Sequence, residues 1–273
     1  MAKPQAAKKP TTAVAKKQST EVVGFDPMAD AGMGMEGTTA ESFAIPFISV
    51  LQKISPQCEE TDAAYVDGAK AGMFFESVSK ALFDGKKGVS FIQCAYRRTF
   101  LRWSPRGAEG GGFKGEYAPE VVAEMRENGK LVEFEGKLWF PLEDGSVNTK
   151  RCDFVADTRN HYLLLLDGDH PRECLLSLTS TQIKKSKALM SLLANKKVGG
   201  VMKPTFATVI RATTAIESND KGTWHGINFS DEGDVTDAAI YAAAKAFYKS
   251  VVAGTVKASY EAPAASADTG DNF

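Results

Sequence analysis

Between positions 96 and 103 the chain sets guanidinium groups among aromatic rings: Tyr96, Arg97, Arg98, Phe100, Arg102 and Trp103. A planar guanidinium binds phosphate oxygens, and an open ring stacks on any base, so this mixture suits a single-stranded nucleic acid. Read as a β-strand, the stretch places Tyr96, Arg98, Phe100 and Arg102 on one face. Arg97, Thr99, Leu101 and Trp103 fall on the other. After Ser104-Pro105 a loop continues the same chemistry with Arg106, the glycines at 110–112, Phe113 and Lys114. Glycine there lets the backbone come close to a ligand. The same residues also read as a half-buried strand, with rings in the core and arginines in solvent.

Other chemistries are weaker in this chain. Cys152, His161, His170 and Cys174 are zinc-ligand types, but they lack the paired C-x-x-C or H-x3-H spacing of a knuckle. Glu135-Gly136-Lys137, with Asp84 or Glu120, resembles a metal-dependent nuclease triplet, yet the central glycine reads better as a hairpin turn. No Ser or Cys sits in a nucleophile elbow, and three histidines leave few bases to serve one. Gly110-Gly111-Gly112 is not followed by the Lys-Ser or Lys-Thr of a phosphate-binding loop. A non-enzymatic protein without a metal or other cofactor is expected.

The elements that must position the arginines and rings follow from pattern. The apolar segment Phe43–Lys53, interrupted by Pro46, suits an edge strand or a buried margin. Met73–Ser79 and Gly88–Trp103 read as strands joined by the turn at 83–88. Pro119 opens a short helix that Asn128-Gly129 closes. A hairpin follows over 130–142, then a strand pair at Arg151–Ala156 and His161–Leu166, and a strand at Cys174–Leu178. Thr179 or Ser180 caps a helix over 182–193. Thr205–Ile216 and Gly222–Phe229 form a last hairpin, and a final helix runs from Val235 to Val252, ended by Gly254. Many short strands with interleaved helices, rather than a β-α repeat, predict an antiparallel, strand-rich α+β domain. An OB-like barrel with added helices and disordered tails is the architecture expected.

Composition sets the boundaries. The net charge of −1 names no partner, but the first twenty residues hold five lysines and no acid, and the last sixteen hold three acids and no base. Residues 1–35 read as a disordered basic arm, 36–257 as one β-rich domain, and 258–273 as a flexible acidic tail ending in Phe. Thr38-x-x-Glu41 has the form of a capping box. No apolar run reaches the length of a membrane span, and the N-terminus lacks a secretory core. Four scattered cysteines fit a reducing cytoplasm rather than a disulfide scaffold.

Two resemblances sharpen this. The tail SYEAPAASADTGDNF resembles those of bacterial and phage single-stranded-DNA-binding proteins, which end in acids and a final phenylalanine. In that family the tip recruits replication and repair enzymes and competes with DNA for the basic groove, which implies partner-binding roles for Asp268, Asp271 and Phe273. The blocks AIPFISVLQKISPQ, YVDGAKAG, WSPRG and ESNDKGTW-x-G-I are similar to a family of bacteriophage proteins found among replication genes, over roughly residues 32–253. Together they imply a phage protein that coats single-stranded DNA in replication and recombination. Its DNA-binding residues would be Tyr96, Arg97, Arg98, Phe100, Arg102, Trp103, Arg106, Phe113 and Lys114. Phage or host replication and recombination enzymes are the expected partners, no membrane is involved, and a homo-oligomer is permitted. A virion or assembly protein is the alternative, and a nuclease or recombination enzyme the third.

Overall fold

The computed structural model describes residues 33–38, 44–105, 112–168, 170–220, 222–256 and 258–260. The chain separates after Thr38 into two units. In the first, residues 33–38 form two turns, with the Thr38 N–H donating to the Met35 carbonyl (3.1 Å). The proposed capping box extends into residues outside the described set.

The second unit holds, among its described residues, thirteen strands and three α-helices. A small antiparallel sheet comes first: β1 (Ile48–Val50), β2 (Phe74–Glu76) and β3 (Leu82–Phe83). The long β4 (Val89–Ser104) follows, then β5 (Gly112–Tyr117), which folds back on it, and α1 (Pro119–Glu127). A hairpin of β6 (Val132–Phe134) and β7 (Lys137–Trp139) leads into β8 (Phe154–Leu165) and β9 (Arg172–Thr179). The rest is α2 (Ile183–Ala194), a two-residue hairpin of β10 (Lys197–Val198) and β11 (Val201–Met202), the long hairpin of β12 (Thr208–Asn219) and β13 (Gly222–Asp234), and α3 (Ala238–Ala253). Among the described residues, no helix is long and apolar enough to cross a membrane.

The main sheet is antiparallel and follows β13-β12-β4-β8-β7-β6, with β5 also on β4 and β9 also on β8. It curls as a half-barrel in a strand-rich α+β fold, the class that the pattern predicts. Its centre is the β4–β8 pair, matched from Phe91↔Leu165 to Trp103↔Phe154. Both strands change outer neighbours along their length. β4 takes β12 at Val89–Ile92 and β5 at Phe100–Ser104. β8 takes β9 at Thr158–Leu165 and β7 only at Phe154–Val155. The sheet therefore forks beside Ala156 and Asp157.

Alternation decides what each face buries. Phe91, Leu163, Leu165, Leu176 and Leu178 pack toward Leu189 and Leu193 of α2. Ile92, Cys94, Tyr162, Leu164 and Leu175 pack toward Ala244, Phe247 and Val251 of α3. At Cys94 the β4–β8 register slips by one residue. Such a bulge reverses which parity points to which side, so the α2 side receives Phe91 and Gln93 before it and Tyr96, Arg98, Phe100 and Arg102 after it. A third cluster of Phe100, Val122, Leu131 and Val155 closes over α1.

Several elements differ from the sequence reading. β8 is one twelve-residue strand where a turn is expected at Asp157-Thr158-Arg159-Asn160. These polar residues stay in the strand because each is bonded: Asp157 to Arg98 and Arg159, and Asn160 to Ser177 and Tyr260. Neither Thr179 nor Ser180 caps α2: Gln182 precedes the helix, and its side chain accepts no capping bond. The last helix begins three residues later than predicted. Asp237 caps it by accepting from Ala239 N (2.7 Å) and Ile240 N (3.0 Å), while Val235 N bonds to Ala207 O. The packed chain also reaches Tyr260, beyond the expected boundary at 257.

Two devices fix the margins of the sheet. At the free edge of β13 the Gln52 amide pairs with the His225 backbone: Oε1 accepts from its N–H (2.8 Å) and Nε2 donates to its carbonyl (3.0 Å). Before β4, Gly85 lies so close to its neighbours that a Cβ there would stand 1.8 Å from the Gly72 carbonyl oxygen and 2.1 Å from Thr214 Oγ1. Thr214 bonds both glycine carbonyls, through its N–H to Gly85 and its hydroxyl to Gly72. Gly85→Ala should therefore lower stability by about 1–3 kcal/mol, since the obstacle is backbone and cannot swing aside. Thermal melts would show it, and an unshifted transition would mean the turn has room to open.

Candidate functional site

The fork in the sheet opens a pocket of about 490 Å³. Its floor is the apolar cluster at Phe100, Val122, Leu138 and Val155, and its rim carries the cations Arg98, Arg126 and Lys137. Each cation comes from a different element: β4, α1 and β7. The fourth wall is the junction of β9 and α2. There Ser180, at φ 46°, turns the chain out of the sheet through a 3-10 turn over Ser180–Gln182. The tight β6–β7 turn brings Lys137 in, with Glu135 at φ 51° and Gly136 at φ 76°. Glu135-Gly136-Lys137 is thus a hairpin turn, and its lysine stands 5.6 Å from the Phe154 ring centre.

The pocket's charges are ordered by ion pairs. Arg98 binds Asp157 with two nitrogens (3.1 and 2.8 Å) and lies 4.9 Å from the Phe100 ring centre, keeping 42% of its side chain exposed. Arg159 binds the same carboxylate (2.9 Å) and donates to Tyr96 Oη (3.0 Å). Burial alone would raise the Asp157 carboxyl, but the hydrogen bonds from Arg98 and Arg159 outweigh it and hold the group below its ordinary range. Two guanidiniums on one carboxylate leave one positive charge over. Arg126 pairs with Glu133 across the rim (3.1 Å), with both side chains more than half exposed.

The residues singled out by sequence fall into distinct places. Arg98 and Phe100 meet at the pocket. Phe100 is 6% exposed, so its ring is floor rather than an open stacking surface. Tyr96 is half-buried beside Arg159 and 5.2 Å from the His161 ring. Arg102 faces the same way but is drawn off by Asp153 (2.6 Å) and lies 4.1 Å from the Phe140 ring centre. Arg97 is on the opposite face, donating to the Val251 carbonyl at the end of α3, where a cation complements the helix dipole. Trp103 and Phe113 pack together (5.6 Å), and Phe113 continues onto Tyr260 (5.4 Å) and from there to Phe47 (5.6 Å). Lys114 is exposed on β5. Arg106, Asp268, Asp271 and Phe273 lie outside the described residues.

The zinc-type residues do not converge among the described residues. Cys174 is core, Cys152 accepts from Asn148 N (3.3 Å), and His161 lies fully buried between Gln93 Oε1 and Ser186 Oγ, both at 2.8 Å. His170 lies in the β8–β9 connection.

Sequence reasoning missed Arg126, which looks like an ordinary surface charge on a short helix, and placed Lys137 in the Glu135-Gly136-Lys137 triplet rather than beside Arg98. It also missed Trp224 on β13, flanked by depressions of about 430 Å³ and 200 Å³. The weak local signal was Glu217-Ser218-Asn219-Asp220-Lys221-Gly222-Thr223-Trp224, a turn that places a large ring beside its tip.

With this geometry in place, comparison with known proteins gives one match. A family model described as Pam3 phage gp34-like protein covers residues 15–257. No curated protein and no solved structure matches the chain.

Proposed function

The chain belongs to the Pam3 phage gp34-like family, and from that premise we propose that it is a non-enzymatic phage protein that binds single-stranded DNA in replication or recombination intermediates. One observation carries the reading: a pocket with an apolar floor and a rim of three cations, formed where the curled sheet forks. Its volume is in the range of small-ligand pockets, roughly 300–1,000 Å³. An unstacked base suits the floor, and the flanking phosphates suit Arg98, Arg126 and Lys137. A duplex keeps its bases stacked inside and presents none to such a pocket. The curled antiparallel face is the part of this reading that corresponds to an OB-like platform. The acidic segment with Asp268, Asp271 and Phe273 belongs to the proposal as the contact for replication and recombination enzymes in the host cytoplasm.

The test is anisotropy of a labelled thymidine oligomer titrated at several salt concentrations. Arg98→Ala with Arg126→Ala should weaken binding about tenfold at low salt and make the salt slope shallower by roughly two charges. Lys245→Ala with Lys249→Ala removes the same charge from the exposed side of α3 and should leave the slope alone. Asp157 keeps Arg159 in the first variant, so its fold should survive. Equal behaviour of the two double variants would place the strand elsewhere. A wild type that ignores oligomers but forms ordered assemblies would favour the virion reading.

A further inference from the structure

The pocket at the fork does not end in a closed wall. Thr179, Ser180 and Ile183 line it, while the next residues of that turn, Thr181 and Lys184, line the depression of about 430 Å³. That depression shares Trp224 with the third, of about 200 Å³, where Lys53, Ile54 and Ile216 form the rim. The three are therefore consecutive, divided by the first turn of α2 and then by one indole ring.

Their chemistry repeats. Each combines apolar surface or a ring with at least one cation: Arg98, Arg126 and Lys137 in the first, Lys184 in the second and Lys53 in the third. Glu217 is the carboxylate of the second depression, but Lys184 (3.6 Å) and Lys185 both pair with it, so one positive charge remains. Ile54 and Ile216 are 61% and 70% exposed beside the indole, an apolar surface with nothing covering it among the described residues. Trp224 Nε1 is buried and has no acceptor among the described residues. Leaving such a donor unmatched is costly, so a ligand oxygen or water is wanted there.

We infer that a single strand bound at the fork continues over the first turn of α2 and across the tip of the β12–β13 hairpin, with Trp224 as a second stacking platform and Lys184 and Lys53 as its phosphate contacts. The inference rests on the fork pocket being a single-strand site. It extends that site from one base to a track of several nucleotides. A linear polyanion with bases free to rotate matches a row of separate small depressions with a cation at each. A single compact ligand fills one and leaves the others empty.

The experiment compares Trp224→Ala with wild type on two thymidine oligomers, of about five and about twenty nucleotides, one near the lower end and one beyond the upper end of the roughly 4–16 that an OB-type surface takes. The short oligomer should bind both proteins alike. The long one should bind the variant about tenfold more weakly, as expected for the loss of one stacked base. Trp224→Phe, which keeps a ring, should restore most of the affinity. Intrinsic tryptophan quenching by the long oligomer should shrink in Trp224→Phe. If the variants bind both lengths as tightly as wild type, and quenching is unchanged, the track is wrong while the fork site stands. Equal weakening on both lengths also overturns it, because the ring would then act through the fold. Quenching that follows protein concentration alone, without oligomer, would instead make Trp224 a contact between copies. If wild type binds neither oligomer, both the track and the fork site fall.

Discussion

Lowering the pH from 6.5 to 4 should remove about 3 kcal/mol of stability through one residue, His161. Its imidazole is fully buried between β4 and α2, where Nδ1–H donates to Gln93 Oε1 and Ser186 Oγ–H donates to Nε2. The neutral ring satisfies both partners, and a proton on Nε2 would face the Ser186 hydroxyl without water. Burial, with the Arg159 charge adding to it, pushes the pKa down from 6.5 to about 3. The unfolded chain takes up this proton below pH 6.5, and the folded chain does so only near pH 3. The contribution is therefore complete above pH 6.5 and is lost progressively as the pH falls toward 3. Denaturant melts across this range should show it, and His161→Gln should be less stable at pH 7 but flatter between pH 6.5 and 4. A wild-type stability that holds level over that interval, or an imidazole titrating near 6.5 by NMR, would contradict the burial argument.

Removing the packed C-terminal segment should cost about 3–5 kcal/mol, the range for truncating a large buried ring. Tyr260 is buried, stacks on Phe47 and Phe113, and accepts at its hydroxyl from Asn160 Nδ2 (2.7 Å). Asn160 is itself buried, and its Oδ1 accepts from Ser177 Oγ (2.7 Å). A chain ending at residue 257 loses the ring and orphans the amide; one ending at Tyr260 keeps both and should melt with the full-length protein. Tyr260→Phe separates the two contributions, because it keeps the stack and removes only the hydroxyl, at about 1–2 kcal/mol. Matching melting temperatures for the two truncations would mean that Tyr260 merely rests on the surface.

The sequence revealed β4 because rings and long side chains alternate from Tyr96 to Trp103, a period no helix shares. The bulge at Cys94 was hidden because Cys94 and Ala95 are both small and apolar, so a slipped parity leaves no mark in the string. β8 was divided in two because Asp157-Thr158-Arg159-Asn160 looks like a turn. What holds it extended is Arg98, 59 positions away, together with Tyr260 at a separation of 100. The candidate site was half readable for the same reason. Arg98 and Phe100 sit together in the string, whereas Arg126 and Lys137 reach them only through the pairing of β8 with both β4 and β7 and the packing of α1, and Trp224 meets Lys184 only where α2 packs on the β12–β13 hairpin. Long-range pairing of this kind is not encoded in any local period.

The amide of Gln52 has a consequence for how copies of this protein can crowd together. An unpaired sheet margin is a template on which another chain can add a strand, and continued addition ends in fibres. At His225 that template is already occupied, because a side chain reproduces the two bonds a neighbouring backbone would make. The occupant belongs to the same molecule and is held in place by the bond from its own N–H to Ser55 Oγ (2.8 Å). It is a stopper rather than an adaptor. A second copy brought up to this margin finds no ladder partner at His225, so a continuous β-ladder across that point is interrupted.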